Sequence, residues 1–310
     1  MPRSGMRSTA RTGPREKREA VTWLPHHAVV APDGAPPAGW LLFLHGILGS
    51  GANWRTIARR LVAARPDWGA VLVDLRMHGR SQGAPPPHTL EAVAADLERL
   101  AADLAGRGMR VAGVIGHSFG GKAALALRAR APEGLVETWV LDASPSARTG
   151  ALAPAGTPPP PSPSGDPGDV LLMLEALPGQ FSSRDDFLSA VTGRGFSRPL
   201  GEWLAMNLDR GEGGMHLRLD LGGIRALMTD YYEQDLWPAV ESGALPGALR
   251  FVVAGRSQAV SEADRARLDA LASGDRIGLH LIREAGHWLH MEAPDALLAL
   301  FSDELTRLPR

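Results

Sequence analysis

The chain has 310 residues, with 33 basic and 34 acidic side chains, a formal net charge of −1 at pH 7 and no cysteine. A nearly neutral chain offers no broad basic surface for nucleic acid, and the missing cysteines exclude disulfides, thiolate metal sites and a cysteine nucleophile. The length is sufficient for one large α/β domain with a substantial core.

The N-terminal 20 residues differ in charge from the rest of the chain. They contain six basic and two acidic residues, so this segment carries +4 and the remainder −5. Its prolines and glycines, and the lack of an amphipathic face, favour a disordered extension over an organelle-targeting arm. No apolar run approaches the length of a membrane span, and no secretory signal is present. We therefore expect a cytoplasmic protein, with organelle targeting by the basic arm as the alternative.

Short apolar runs alternate with helical patterns along the chain. The expected strands are 28–30, 41–44, 71–74, 111–115, 139–141, 250–254 and 279–283. The expected helices are 53–64, 89–105, 118–130, 261–271 and 294–305, of which 89–105 has the clearest three- and four-residue apolar spacing. This alternation predicts an α/β fold, with a mostly parallel central sheet flanked by helices on both faces.

Two segments interrupt the alternation within a single domain expected over 21–310. Residues 147–169 are rich in proline and predict an extended loop. Residues 170–239 read as irregular helices, inserted after the strand at 139–141. An insertion at that end of a strand lies over the ligand crevice of an open α/β sheet, so it predicts a helical lid. The alternative is a helical decoration at the edge of the sheet.

A G-x-S-x-G motif at 116–120 contains the candidate nucleophile, Ser118. An apolar, β-branched run precedes it and an alanine- and leucine-rich segment follows, as expected for a strand that turns sharply into a helix and exposes the serine. A serine hydroxyl needs a base, a residue that orients the base, and donors for the oxyanion. The rest of the chain offers a candidate for each of these three roles.

The candidate base is His287, in the loop after the last predicted strand. That loop lies at the same edge of the sheet as Ser118. His290 is expected to be turned elsewhere by the helix that begins nearby, and His117 to point away from the nucleophile. For the oxyanion hole, the sequence predicts the amide of Phe119 and that of Ile47, with Leu48 as the alternative, in the loop after strand 41–44. His45 in that loop is expected to be structural.

The acid should fall between the nucleophile and the base in chain order. Asp142 lies directly after strand 139–141, whereas the loop after strand 250–254 has a serine at the expected acid position. The carboxylates nearest that second loop, Glu262 and Asp264, fall within the following helix. We therefore predict Asp142 as the acid, with a turn-forming aspartate as the alternative.

For the remaining polar residues we expect structural roles. Asp74 and His78 predict a hydrogen-bonded turn at the pocket margin, and Lys122 a residue of a helix face rather than an electrophile. No cluster has metal-ligand spacing and no glycine-rich phosphate loop is present, so neither a metal nor a cofactor is expected.

Together these motifs resemble the α/β-hydrolases, and more narrowly the YbfF-type bacterial esterases and related abhydrolase-domain proteins. The resemblance covers about residues 40–305 and rests on H-G-x-x-G-S at 45–50, D-x-R-x-H-G-x-S at 74–81, G-H-S-x-G-G-K at 116–122, L-D-A-S-P at 141–145 and G-H-W-x-H at 286–290. In that group the acid follows the sixth strand, which implies Asp142. The loop after the seventh strand carries a serine instead, which matches Ser257. The chain departs from the group in lacking an aromatic residue near Ala259, in its longer proline-rich segment and in its basic arm.

The resemblance implies hydrolysis of small carboxylic esters or thioesters, with acyl-CoA among the candidates. The same fold hosts lyases, carbon–carbon bond hydrolases and cofactor-free haloperoxidases, so these stay as alternatives. A non-catalytic binding protein is the other alternative, and the complete set of candidate catalytic residues argues against it. The expected partner is a small-molecule substrate, and the sequence leaves the oligomeric state open.

Overall fold

The computed structural model describes residues 23–148, 150–160, 166–242, 245, 247–274 and 277–309. The strands in this part of the chain are β1 (His27–Val30), β2 (Gly39–Leu44), β3 (Trp68–Val73), β4 (Val111–His117), β5 (Glu137–Leu141), β6 (Gln180–Phe181), β7 (Leu208–Gly211), β8 (Gly214–Leu217), β9 (Ala248–Ala254) and β10 (Gly278–Ile282). The helices are α1 (Arg55–Ala64), α2 (Leu90–Gly106), α3 (Phe119–Ala129), α4 (Pro167–Glu175), α5 (Arg184–Thr192), α6 (Arg198–Leu204), α7 (Leu221–Glu233), α8 (Trp237–Glu241), α9 (Glu262–Ser273), α10 (Leu289–Glu292) and α11 (Pro294–Glu304).

Seven strands form one central sheet in the order β1-β3-β2-β4-β5-β9-β10. Only β1 is antiparallel to its neighbour among these described strands, and the other pairings are parallel. The inner strands β2, β3 and β5 are buried along their whole length, as strands covered on both faces must be. The predicted mostly parallel α/β sheet is confirmed, and each of its seven strands lies within three residues of the predicted bounds.

Helices cover both faces of the sheet, and the side chains of β2 show the division. Leu42 and Leu44 belong to the apolar layer that also contains the buried faces of α2 and α3. Leu41 and Phe43 belong to the opposite layer, with α1 and α11. Alternate residues of a strand point to opposite faces, so one apolar run supplies both layers of the core.

The insertion between β5 and β9 differs from its prediction. Besides α4 to α8 it contains a three-stranded antiparallel sheet in the order β6-β8-β7, whereas the sequence predicted helices alone. Gly213 (φ +82°) lies in the turn between β7 and β8, and Gly214 (φ +136°) begins β8, both in a conformation that glycine permits and that a side chain makes costly. The helix expected to open the insertion begins at Pro167, inside the predicted proline-rich loop.

The basic segment 1–20 lies outside the described residues, as do 149 and 161–165 of the proline-rich segment. Among the helices that the structure describes, none is long and apolar enough to cross a membrane.

Candidate active site

Ser118 lies in the sharp turn between β4 and α3, with φ +53° and ψ −118°, a backbone region that residues with side chains rarely adopt. A Cβ atom on Gly116 would collide with the carbonyl of Gly120, and one on Gly120 would lie 2.6 Å from the carbonyl oxygen of Leu44. The turn therefore requires glycine on both sides of the serine. It holds Ser118, 8% exposed, at the carboxyl edge of the sheet.

His287 lies in the loop between β10 and α10, beside Ser118. Its Nε2 accepts a hydrogen bond from the Ser118 hydroxyl at 3.0 Å. The Glu292 carboxylate accepts hydrogen bonds from the amides of Gly286 at 2.7 Å and Trp288 at 3.2 Å, the residues on either side of the histidine. Glu292 thus fixes the backbone that carries the imidazole, a contact that no sequence motif indicated.

Asp142 follows β5 directly and is 1% exposed. Its Oδ2 accepts a hydrogen bond from Nδ1 of His287 at 2.7 Å, and its Oδ1 accepts one from the amide of Ala254 at 3.1 Å. A proton on Nδ1 leaves Nε2 free to accept from the serine, so the carboxylate selects the tautomer that can act as a base.

The alternative acids of the sequence lie elsewhere. Both carboxylate oxygens of Asp264 accept hydrogen bonds at 2.5 Å, from the hydroxyls of Ser144 and Ser146. Glu262 is exposed in the first turn of α9. The structure therefore brings together Ser118, His287 and Asp142, and leaves these two carboxylates out of the cluster.

The loop after β2 presents the candidate oxyanion donors. The amide of Leu48 donates to Nε2 of His78 at 2.9 Å and is therefore engaged. The amides of Ile47 and Phe119 have no hydrogen-bond acceptor within the part of the chain that the structure describes. Of the two alternatives in this loop, the geometry favours Ile47 over Leu48.

Two buried histidines hold this loop in place. His45 donates from Nδ1 to the Gly46 carbonyl at 2.7 Å and accepts at Nε2 from the Leu75 amide at 3.0 Å. His78 donates from Nδ1 to the Arg76 carbonyl at 2.9 Å. Burial lowers the pKa of His45, and burial, followed by the nearby His45, lowers the pKa of His78 to about 3. Both imidazoles are therefore neutral at pH 7, which their acceptor role requires.

His117 was expected to point away from Ser118 and His290 to be turned elsewhere by the helix that begins nearby; the structure places the ring of His117 beside that of His287, and the ring of His290 beside that of His117. Nε2 of His117 donates to the His287 carbonyl at 2.6 Å, with the two ring centroids 4.7 Å apart. His290 lies 5.1 Å from the ring of His117. Burial, followed by the nearby His287, lowers the pKa of His117 well below its usual value and that of His290 to about 4. At pH 7 these two imidazoles are therefore neutral and add no positive charge beside His287.

Lys122, predicted as a residue of a helix face, lies on α3 and is buried. Its Nζ donates to the carbonyls of Ser146 at 2.9 Å and Tyr231 at 2.7 Å, and burial lowers its pKa to about 8. The side chain thereby ties α3 to the loop after Asp142 and to helix α7 of the insertion.

The sequence profile of the alpha/beta hydrolase family matches residues 41–300, which contain the whole cluster. The chain belongs to this family. It is 28% identical to Esterase YbfF of Escherichia coli over 279 residues, covering 83% of this chain and 89% of the esterase. It is 26% identical to the mouse sn-1-specific diacylglycerol lipase ABHD11 over 270 residues, covering 84% and 79%. The structure of a marine microorganism esterase matches 92% of this chain and 100% of that one, with a TM-score of 0.72 at 21% identity.

Two cavities of this α/β-hydrolase meet at Ser118 and His287, and they differ in size and polarity. The smaller, of about 70 Å³, is enclosed mainly by apolar side chains: Ile47, Leu48, Trp54, Val170, Leu200 and Trp203. The larger, of about 420 Å³, carries polar and charged groups, among them Arg148, Asp166, Tyr231, Arg256 and Gln258. A molecule bound at Ser118 can therefore place an apolar part in one cavity and a polar part in the other.

Proposed function

We propose that the chain is a serine hydrolase that cleaves small carboxylic esters or thioesters, acyl-CoA included, through an acyl-enzyme. The observation that carries this proposal is the continuous pair of hydrogen bonds from Ser118 through His287 to Asp142, at 3.0 and 2.7 Å. Membership of the alpha/beta hydrolase family and the esterase and lipase relatives support hydrolysis of an ester bond.

In the proposed reaction the Ser118 hydroxyl attacks the acyl carbon while Nε2 of His287 takes its proton. The resulting imidazolium is stabilised by Asp142 and then protonates the leaving alkoxide or thiolate. The amides of Ile47 and Phe119 donate to the oxyanion of each tetrahedral intermediate. Water, deprotonated by the same imidazole, then attacks the acyl-enzyme and releases the acid together with free Ser118.

The cavities support a division of the substrate between acyl chain and leaving group. The apolar cavity of about 70 Å³ has about half the volume of a cavity that holds benzene, which is about 150 Å³. It therefore suits an acyl chain of about two to four carbons. The larger, polar cavity suits the leaving group, because its arginines, tyrosines and glutamine can hydrogen-bond oxygen atoms.

We also propose that the insertion between β5 and β9 is a lid. Val170, Leu200 and Trp203 of the insertion form one wall of the apolar cavity, and the ring of Trp203 lies 4.6 Å from that of Trp288, next to the base. Docked in this way, the insertion excludes water from the apolar side of the nucleophile.

A panel of p-nitrophenyl esters and CoA thioesters with acyl chains of two to twelve carbons tests this proposal. We expect kcat/KM to be highest between two and four carbons and to fall for octanoyl and longer chains. Ser118→Ala should lower kcat by more than about 10³-fold, because the oxyanion hole alone cannot replace the nucleophile. Ser273→Ala, an exposed serine of α9, is the matched control. No hydrolysis by the wild type, or equal hydrolysis by Ser118→Ala, would contradict the proposal.

A further inference from the structure

Asn207, in the insertion, makes a direct contact with the candidate oxyanion loop. It ends the short 3₁₀ helix Ala205–Asn207 and is 3% exposed. Its Nδ2 donates a buried hydrogen bond to the carbonyl oxygen of Leu48 at 2.9 Å, across 159 residues of sequence. The proposed lid and the oxyanion loop are therefore joined by a specific polar contact, in addition to apolar packing.

The residue that receives this bond has an unusual backbone. Leu48 has φ +64° and is 2% exposed, and a left-handed conformation is unfavourable for a residue with a side chain. Its amide donates to His78 and its carbonyl accepts from Asn207. Both peptide groups of Leu48 are thus held from outside the loop, one by the body of the hydrolase and one by the insertion.

The backbone of Asn207 is itself held by hydrogen bonds. The carbonyl of Asn207 accepts a hydrogen bond from the amide of Arg218, just after β8, at 2.9 Å. The guanidinium of Arg218 also donates to the carbonyl of Met206 at 3.2 Å and pairs with Asp209 at 2.9 Å. These contacts tie the backbone that carries Asn207 to Arg218, next to the small β6-β8-β7 sheet.

We infer that Asn207 is a positioning residue that makes the oxyanion hole depend on the docked insertion. The inference rests on the proposed function, because it concerns the amide of Ile47 assigned to the oxyanion. Without Asn207, the Leu48 carbonyl is released and Leu48 relaxes towards negative φ. The loop after β2 then loses one of its two external anchors at Leu48, and the Ile47 amide is no longer held at the position where the oxyanion develops. An undocked insertion has the same effect, so the catalytic site is complete only when the cavity is closed.

The expected kinetic signature separates positioning from binding. Asn207 lines neither of the two cavities at Ser118, so its loss should leave KM within about twofold. The hydrogen bond from the Ile47 amide to the oxyanion is made only in the transition state, and loss of one oxyanion donor lowers kcat by about 10²–10³-fold. Because Asn207 only orients the Ile47 amide, we expect kcat to fall by about 10- to 100-fold in Asn207→Leu, which keeps the branched side-chain shape and removes the carboxamide.

The experiment compares wild type, Asn207→Leu, Asn207→Asp and the neighbouring Met206→Leu with p-nitrophenyl acetate. Asn207→Asp should be the least active, because its carboxylate faces the Leu48 carbonyl. Met206→Leu, at a half-exposed position, should match the wild type. A trifluoromethyl ketone, whose hemiketal oxyanion occupies the hole, should bind Asn207→Leu more weakly by the factor lost in kcat/KM. Unchanged kcat in Asn207→Leu, or a raised KM with normal kcat, would overturn the inference.

Amide hydrogen exchange gives a second readout that does not depend on activity. In Asn207→Leu the Leu48 amide should exchange at least about tenfold faster than in the wild type, while exchange in β4 and α3 stays unchanged. Unchanged exchange at Leu48 would show that the contact does not hold the loop. If the wild type hydrolyses no ester, the proposed function fails, and the exchange data alone decide whether the insertion holds the loop.

Discussion

At the scale of single residues, the site places two polar side chains on strained backbone. Ser118 has φ +53° and Asp142 has φ +46°, and both directly follow parallel strands of the sheet. Such conformations persist only where the surrounding structure determines them. Here neighbouring strands provide that support, since the amide of Ser118 donates to the Leu141 carbonyl and the amide of Asp142 to the Val252 carbonyl. The pleated sheet thus fixes the separation of Ser118 and Asp142.

Asp142→Asn tests the acid at this scale. The substituted carboxamide can still accept from the Ala254 amide through its oxygen, as Oδ1 of Asp142 does, so the fold should be retained. Its NH₂ group would instead face Nδ1 of His287 and favour the tautomer that carries the proton on Nε2, which cannot accept from Ser118. We expect kcat to fall by about 10⁴-fold with an unchanged melting temperature.

Asp264→Asn is the matched control, because Asp264 was the alternative acid and its carboxylate accepts from Ser144 and Ser146 rather than from His287. Its kcat should stay within about tenfold of the wild type. A large loss in Asp264→Asn together with near-normal activity in Asp142→Asn would transfer the role to the α9 region.

At the scale of elements, burial decided what the sequence could predict. The inner strands β2, β3 and β5 of the central sheet are apolar runs covered on both faces, and such runs are visible in the sequence. Strands β6, β7 and β8 have only two to four residues, and three of the four residues of β7 are exposed. Strands this short carry no detectable alternation, and their pairing depends on contacts far apart in sequence, so the sequence predicted helices there.

The site shows the same contrast between local sequence signals and contacts far apart in sequence. Ser118 and His287 could be placed because a local motif or the order of strands positions them. The prediction of Asp142 as the acid required a comparison of two strand ends and a family resemblance. The residues alone left Glu262 and Asp264 as alternative acids. Glu292 and Asn207 carry no motif at all, since their roles consist of hydrogen bonds to backbone groups of other loops. Such contacts are a property of the assembled fold.

At the scale of the whole molecule, the hydrolase buries several neutral histidines. Burial lowers the pKa of five of them: His45, His78, His117, His280 and His290. In the unfolded chain each takes up a proton near pH 6.5, whereas in the folded protein His290 does so only near pH 4 and His78 near pH 3. The unfolded state therefore binds more protons below pH 6.5, and the free energy of unfolding should fall as the pH falls.

His290→Phe isolates one contribution to this acid sensitivity. Neither ring nitrogen of His290 has a hydrogen-bond partner among the described residues, so the substitution breaks no such bond. Between pH 6.5 and 4.5 one such histidine contributes a slope of up to about 1.4 kcal/mol per pH unit. Urea unfolding at pH 7.5, 6.5, 5.5 and 4.5 should show a shallower decline in His290→Phe than in the wild type. Equal slopes would mean that His290 is protonated in the folded protein.

The most direct test of the central claim is to locate the residue modified by a fluorophosphonate, which reacts with an activated serine and leaves a stable adduct. The tryptic peptide Val111–Lys122 contains Ser118 as its only hydroxyl-bearing residue, so tandem mass spectrometry assigns the adduct without ambiguity. We expect one adduct per chain, on this peptide, and none in the heat-denatured protein or in Ser118→Ala. An adduct on another peptide of the native protein, or no reaction of the native wild type, would contradict the assignment of Ser118 as the nucleophile.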